Sequence, residues 1–348
     1  MMREISIRQV DPAAERERIL SVLAANLPAA AAPERFDWLY LSNPDGRALV
    51  WLAEDENGEA VGTSAAHPRR MRVGGGPVRA LNLGDFAVER SQRTLGPALR
   101  LLRETLAPVR DHAYAFSYDF GNASMQAVYR RMRVHALGCS ERWMQPVVMR
   151  RVMRDKLGAE WLAAIAGGAG DALWYVRRSI HGRVRGLKHD VLAGECGDEF
   201  DALDARLGCG RQVTGVRDAT YLNWRYLRHP LWKHEIVCAR ADGRLAGYAV
   251  LRRTKPGAVA LVDMRGDDMR VCRMLLSAAV RRAAAQDAAA LHVEVLAGSV
   301  AAHLIKALAF IRRESTDGPV AFWAADSPLA AELAAASNWW LIGGDRDV

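Results

Sequence analysis

The segment Trp38-Leu39-Tyr40-Leu41-Ser42-Asn43-Pro44 returns 186 residues later as Trp224-Arg225-Tyr226-Leu227-Arg228-His229-Pro230. The surrounding order of elements returns with it. A helical segment at 34–41 precedes a strand at 48–54, the turn Asp55-Glu56-Asn57-Gly58 and a second strand from Ala60 to about Met71. With one residue deleted, Ala53, Gly58 and Gly62 fall opposite Ala239, Gly243 and Gly247. Further on, strand 79–88, helix 95–109, strand 113–117 and helix 123–132 are matched in order by strand 258–264, helix 268–286, strand 291–295 and helix 300–308. Two related domains are the economical explanation, since chance identities would not also preserve element order. A chain of 348 residues has room for both, each with its own core. The expected division is a first domain at 1–150, a basic helical linker at 151–190 and a second domain at 191–348.

The first half carries the chemically suggestive stretch. An apolar strand ending at Gly84-Asp85-Phe86-Ala87-Val88 runs through the polar loop 89–94 into a helix with apolar residues at Leu95, Leu99, Leu102 and Leu106. Unpaired amides and the positive end of the helix dipole favour an anion over such a loop. Arg93 adds a full charge, and Gly96 allows close backbone approach. The second half has Asp267-Asp268-Met269 at the same place in the order, and two carboxylates there would repel a phosphate.

Gln92-Arg93-x-x-Gly96-x-Ala98 resembles the R/Q-x-x-G-x-G/A signature of the GNAT acetyltransferases, and Asn122 followed seven residues later by Tyr129 is similar to a second feature of that family. Pro97 and Arg133 depart from its usual pattern. The resemblance implies an α+β fold, a mixed and mostly antiparallel sheet flanked by helices, in two copies of which the second is degenerate. It implies acetyl-CoA as co-substrate. Gln92, Arg93, Thr94, Leu95, Gly96 and Ala98 would hold its pyrophosphate with Asn122 nearby, and the backbone at Phe86 and Val88 would pair with the pantetheine arm. Tyr129 would be the acid that protonates the departing thiolate. For the base, Asp85 is the leading candidate. Glu89 shares its strand parity if the strand stays regular, and Asp119 is a further option. The expected reaction is N-acetyl transfer to a small-molecule or glycan-type amine, such as an amino sugar or a cell-envelope precursor. The competing readings are a non-catalytic coenzyme A-binding protein and a Fem-type aminoacyl transferase.

Net charge is +8, yet residues 151–190 hold eight basic against four acidic residues, half of the excess. Only five of 48 basic residues are Lys, a compositional bias that argues against a nucleic-acid surface. The basic segment reads first as a solvated linker, with peripheral attachment to an anionic membrane as the sharper alternative. Cys139, Cys196, Cys209, Cys238 and Cys272 form no C-x-x-C pair and no zinc spacing, so they read as buried thiols in a reducing cytoplasm, with no metal expected. The N-terminus lacks the apolar core of a signal peptide. His67, His112 and His135 have no partner pattern, and Ser117 and Ser124 no nucleophile setting. The repeated Trp and Tyr residues read as packing, and Trp339-Trp340 as docking on a domain or lining the acceptor cleft. Oligomeric state is left open.

Overall fold

The computed structural model describes residues 5–89, 95–147, 186–210, 212–255, 257–308 and 310–346. The strands are β1 (Ser6–Val10), β2 (Leu49–Glu54), β3 (Ala60–Val73), β4 (Gly76–Val88), β5 (Phe116–Asp119), β6 (His135–Ala136), β7 (Cys139–Pro146) and β8 (Leu187–Val191). After them come β9 (Thr214–Gly215), β10 (His234–Ala241), β11 (Arg244–Lys255), β12 (Ala258–Gly266), β13 (Ala290–Leu296), β14 (Ile311–Asp317) and β15 (Val320–Phe322). The helices of the first half are α1 (Arg16–Asn26), α2 (Pro33–Phe36), α3 (Leu95–Thr105), α4 (Ala107–Arg110) and α5 (Ala123–Arg131). Those of the second are α6 (Asp198–Leu207), α7 (Ala219–Leu222), α8 (Met269–Ala285), α9 (Val300–Ala307) and α10 (Ala330–Ala334). The fold is α+β: two mixed sheets, each flanked by helices.

The two sheets have the same order. One runs β1-β2-β3-β4-β5-β15-β6 and the other β8-β10-β11-β12-β13-β7-β14, with β9 added beside β3. In each, four antiparallel strands meet a fifth that is parallel to the fourth. The sixth place is filled by exchange. Val320–Phe322, from near the end of the chain, slots between β5 and β6, while Cys139–Pro146 crosses into the second sheet between β13 and β14. β2 is apolar and almost wholly buried, without the alternation of a half-exposed strand, because this sheet is packed on both faces. α3 lays Leu101, Leu102 and, just past its end, Leu106 on one face, and α8 does the same with Val271, Leu275, Ala278 and Ala279 on the other sheet.

Several boundaries differ from the sequence expectation for physical reasons. The helix expected at 34–41 is α2 followed by a wider π turn, Asp37–Leu41, and the repeated segment forms the same turn at Asn223–Leu227. The helix expected at 95–109 breaks after Thr105 and resumes as α4, where Pro108 sits in the first turn and needs no amide partner. Strand 113–117 shortens to β5 because the amides of Ala113 and Tyr114 turn back to the Pro108 carbonyl. The basic segment expected to be helical ends in a strand, β8, and its residues 151–185 lie outside the described residues. The cysteines divide. Cys196, Cys238 and Cys272 are buried, with thiols pushed up to about 12 by loss of solvation, whereas Cys139 and Cys209 are exposed.

The π turns meet at the boundary between the sheets. Trp38 and Trp224 stack with ring centroids 4.6 Å apart and planes at 18°. Each indole N–H donates to the other's backbone carbonyl, Trp38 to Trp224 at 3.0 Å and Trp224 to Trp38 at 3.2 Å. This reciprocal contact between residues 186 apart is the signature of a local two-fold axis. Both indoles are buried. Truncating either one, Trp38→Ala or Trp224→Ala, is expected to cost about 3–5 kcal/mol. The double variant should cost less than the sum, because the pair is one interaction. Urea denaturation of the three variants measures this, and strict additivity would contradict the coupled pair.

Candidate active site

β4 and β5 run together only briefly. Their pairing covers Ala80↔Phe116, Leu81↔Ser117 and Asn82↔Tyr118, after which the strands part. A cavity of about 470 Å³ opens beyond that point, lined by Leu83, Gly84, Asp85 and Phe86 of β4, by Asp119–Asn122 after β5, by Tyr129 of α5 and by Arg35. Its far wall is the 26–30 turn after α1. A splayed pair of this kind can admit an extended ligand alongside β4 where the two strands part.

A bulge shapes β4 at this place. Thr63 pairs with Ala87 and Ala65 with Gly84, so β4 holds one residue more than β3, and Asp85 takes a left-handed φ of 49°. The bulge breaks the parity that would have set Asp85 and Glu89 on one side. Asp85 turns inward, where Arg35 holds it at 2.7 and 3.1 Å and Tyr40 donates to Oδ2 at 2.7 Å. All three side chains are buried. Behind Tyr40 stands His67, edge-on at 5.1 Å, with its imidazole pKa lowered to about 4 by burial.

The same clamp exists in the second half. Tyr226, the counterpart of Tyr40, donates to Asp263 Oδ2 at 2.9 Å, and Arg217 holds Asp263 at 2.8 and 3.1 Å. Asp263 also sits at a bulge, where Val250 pairs with Asp263 and Leu251 with Leu261. The clamp therefore ties a π turn to a bulged strand in both halves.

The second carboxylate of the cavity is different. Asp119, the last residue of β5, accepts a hydrogen bond from the Tyr129 hydroxyl at 2.5 Å, and both are buried. Gly121 makes the contact possible. A Cβ there would lie 2.9 Å from both Met125 Cβ and Tyr129 Cε2, and 3.1 Å from Asp119 Oδ2. Asn122 caps α5, its Oδ1 accepting from the amides of Ser124 and Met125 at 3.1 Å each, and so fixes where the helix carrying Tyr129 begins. No such pair recurs among the described residues. The strand register sets Val293 at the place of Asp119, and α9 contains no Tyr.

Of the residues expected to hold a cofactor, Gln92, Arg93 and Thr94 lie outside the described residues, as does the rest of 90–94. Leu95 begins α3, Gly96 has open space where a Cβ would stand, and Ala98 packs against the core below. Phe86 and Asn122 line the cavity; Val88 is buried in the core beside it. In the second half the corresponding helix start is closed by the chain itself. Asp268 accepts from the amides of Arg270 and Val271 at 2.7 and 2.8 Å, and Asp267 is bound by Arg206 and Arg244. Sequence reasoning missed the Arg35 and Tyr40 partners of Asp85, whose pairing spans 50 and 45 residues. The repetition of Tyr40 as Tyr226 was the available signal.

Residues 5–133 match the family model described as acetyltransferase (GNAT) domain. The first half of the chain is thus similar to a GNAT domain. Solved structures resemble the fold of the chain over nearly its whole length. One is a conserved protein from Enterococcus faecalis V583 described as a probable N-acyltransferase, with TM-score 0.64 and 13% identity, covering 91% of this chain and 72% of that one. A GCN5-related N-acetyltransferase from Kribbella flavida gives TM-score 0.64 and 14% identity over 94% and 74%. Saccharomyces cerevisiae N-myristoyltransferase with bound myristoyl-CoA gives 0.56 and 12% over 98% and 86%. At these identities the likeness is one of fold. No curated protein matches the chain in sequence. Among the described residues, no helix is long and apolar enough to cross a membrane.

Two outcomes test this geometry. Gly121→Ala should lower stability by about 1–3 kcal/mol through overpacking, measured by urea denaturation; an unchanged midpoint would contradict the close approach to Tyr129. His67 has a folded pKa of about 4 against a reference of 6.5, so its contribution is complete above pH 6.5 and is lost as pH falls toward 4. The loss should be on the order of 2–3 kcal/mol. His67→Gln should flatten the stability profile across that window; a profile identical to the parent protein's would contradict the burial of a neutral imidazole.

Proposed function

We propose that the chain is an N-acyltransferase that takes an acetyl group from acetyl-CoA and delivers it to an amine in the cavity between β4 and β5, with two related GNAT-like halves of which the first does the chemistry. The hydrogen-bonded pair Asp119–Tyr129 carries this reading. It is buried in the wall of that cavity and has no counterpart among the described residues of the second half. The bulged, splayed β4 fits an extended pantetheine arm, and the loop 89–94 with the start of α3 fits its pyrophosphate through Arg93 and the helix amides. When bound, acetyl-CoA supplies the acetyl group as an activated thioester.

The residues divide the proton work. Asp119 accepts the proton that the amine loses as its nitrogen becomes an amide. Tyr129 releases its hydroxyl proton to the departing sulfur. The two groups are 2.5 Å apart, so the proton gained by Asp119 passes back to the Tyr129 oxygen and the pair is restored. Asp85, with Arg35 on both oxygens and Tyr40 on one, is assigned to holding the bulge in place. The acceptor is an amine of small-molecule or glycan type; amino sugars and cell-envelope precursors are the classes that fit a cavity of this size.

Isothermal titration with acetyl-CoA, paired with a thiol-release assay over a panel of amines, tests the proposal. Arg93→Glu should abolish measurable binding. Tyr129→Phe and Asp119→Asn should keep binding within about threefold while lowering turnover by about 10²–10⁴-fold. Absence of acetyl-CoA binding to the parent protein would reject the proposal. Full turnover by Tyr129→Phe would remove the pair from the mechanism.

A further inference from the structure

The face of the second sheet turned away from α8 holds a second cavity, of about 570 Å³. Arg252 on β11, Ala260 on β12 and His292 on β13 stand in register across it, alternating with Leu251, Leu261 and Val293, which face the core under α8. The short side chains of Ala258 and Ala260 form its floor, and Thr254, Glu294, Arg142 and Arg346 stand around it. Three arginines thus face one glutamate.

Their pairing leaves one charge over. Arg142 is bound to Glu314 at 2.8 Å, and Arg346 is bound to Glu294, which also accepts from Ser140. Arg252 makes no hydrogen bond or ion pair among the described residues; its Nε is buried without an acceptor, and its charge rests only on the Trp232 ring at 5.1 Å. Burial lowers its pKa, and the neighbouring Arg225 lowers it further. Arg225 is itself buried, donates to the backbone carbonyls of Gly344 and Arg346, and lies over the Trp38 ring at 5.5 Å. A guanidinium beside a roomy cavity, with no carboxylate partner among the described residues, is costly unless an anion completes it.

Comparison with the first half explains why the cavity exists. There the matching row is His67, Asn82 and Tyr118, and it is closed by the 343–345 turn, whose Asp345 carbonyl accepts from Asn82 at 3.3 Å and Tyr118 at 3.5 Å. Among the described residues, the second half has only Gly343 and Arg346 at the rim of its row. We propose that this cavity binds a small organic anion through a carboxylate or phosphate group, anchored by the planar fork of Arg252 with Thr254 and His292 beside it. The proposal does not depend on acyl transfer in the first half.

The test is thermal shift of the full chain titrated with sodium phosphate or sodium acetate at constant ionic strength, with chloride as reference. At least one oxyanion should stabilise the protein saturably beyond chloride, phosphate or acetate dominating according to the group the site takes. Arg252→Gln should weaken the apparent affinity about tenfold or more. Arg93→Glu, which alters the loop assigned to coenzyme A, should leave it within about twofold. If circular dichroism shows that Arg252→Gln does not fold, Arg252→Lys replaces it, since it keeps the charge but loses the fork, and the same weakening is expected. The proposal is overturned if neither oxyanion exceeds chloride, if the Arg252 variant titrates like the parent, or if Arg93→Glu removes the response.

Discussion

Neither sheet is complete without the other half of the chain. The first needs Val320–Phe322 between β5 and β6, and the second needs Cys139–Pro146 between β13 and β14. Remove either strand and a β5 or β13 edge is left with unpaired amides and carbonyls in the middle of a sheet, where water cannot satisfy them cheaply. The exchange therefore makes one cooperative unit out of two similar halves. It also gives a physical reason to keep a second half whose helix start is capped by Asp268: its last strand flanks β5, the strand that ends in Asp119.

Having both halves in one molecule separates scaffold from chemistry. Features present twice hold the fold: the π turns, the Trp38–Trp224 contact, the bulge after the third strand, and the Tyr–Asp–Arg clamp. Gly62 and Gly247 belong with them, since a Cβ on either would press within about 3 Å of a backbone carbonyl on the adjacent strand. Features present once among the described residues are the Asp119–Tyr129 pair and its enabling Gly121. On this criterion Asp85, which lines the same cavity as Asp119, belongs with the features present twice.

What the sequence revealed followed from how local each signal was. Helix and strand order and the amphipathic α3 rest on neighbours within a turn or two, and both were readable. The strand exchange was not, because a three-residue strand has no periodicity, and pairing it to β5 spans about two hundred residues. The parity of Asp85 and Glu89 failed for a related reason. A bulge is set by packing against β3 and by the distant Arg35 and Tyr40, so a regular pleat was the only pattern a single strand displayed. The aromatic C-terminal segment read as docking on a domain or lining the acceptor cleft, and its partition was hidden: Trp339 packs on Phe116 and Tyr118 of the first sheet, while Trp340 joins the core of the second.

That C-terminal segment also borders both cavities. Asp345 is bound by Arg217, which in turn holds Asp263, so the turn is tied to the clamp of the second half. Its backbone closes the row of Asn82 and Tyr118 in the first half, and Arg346 lies over Phe120, a wall of the Asp119 cavity, at 5.1 Å. The same Arg346 borders the second cavity and pairs with Glu294 there. An anion beside Arg252 would draw on Arg346 and compete with Glu294 for it, which changes how firmly the guanidinium rests on Phe120. Any coupling between the cavities has this one short turn as its most direct route, because it is the piece of chain that touches both.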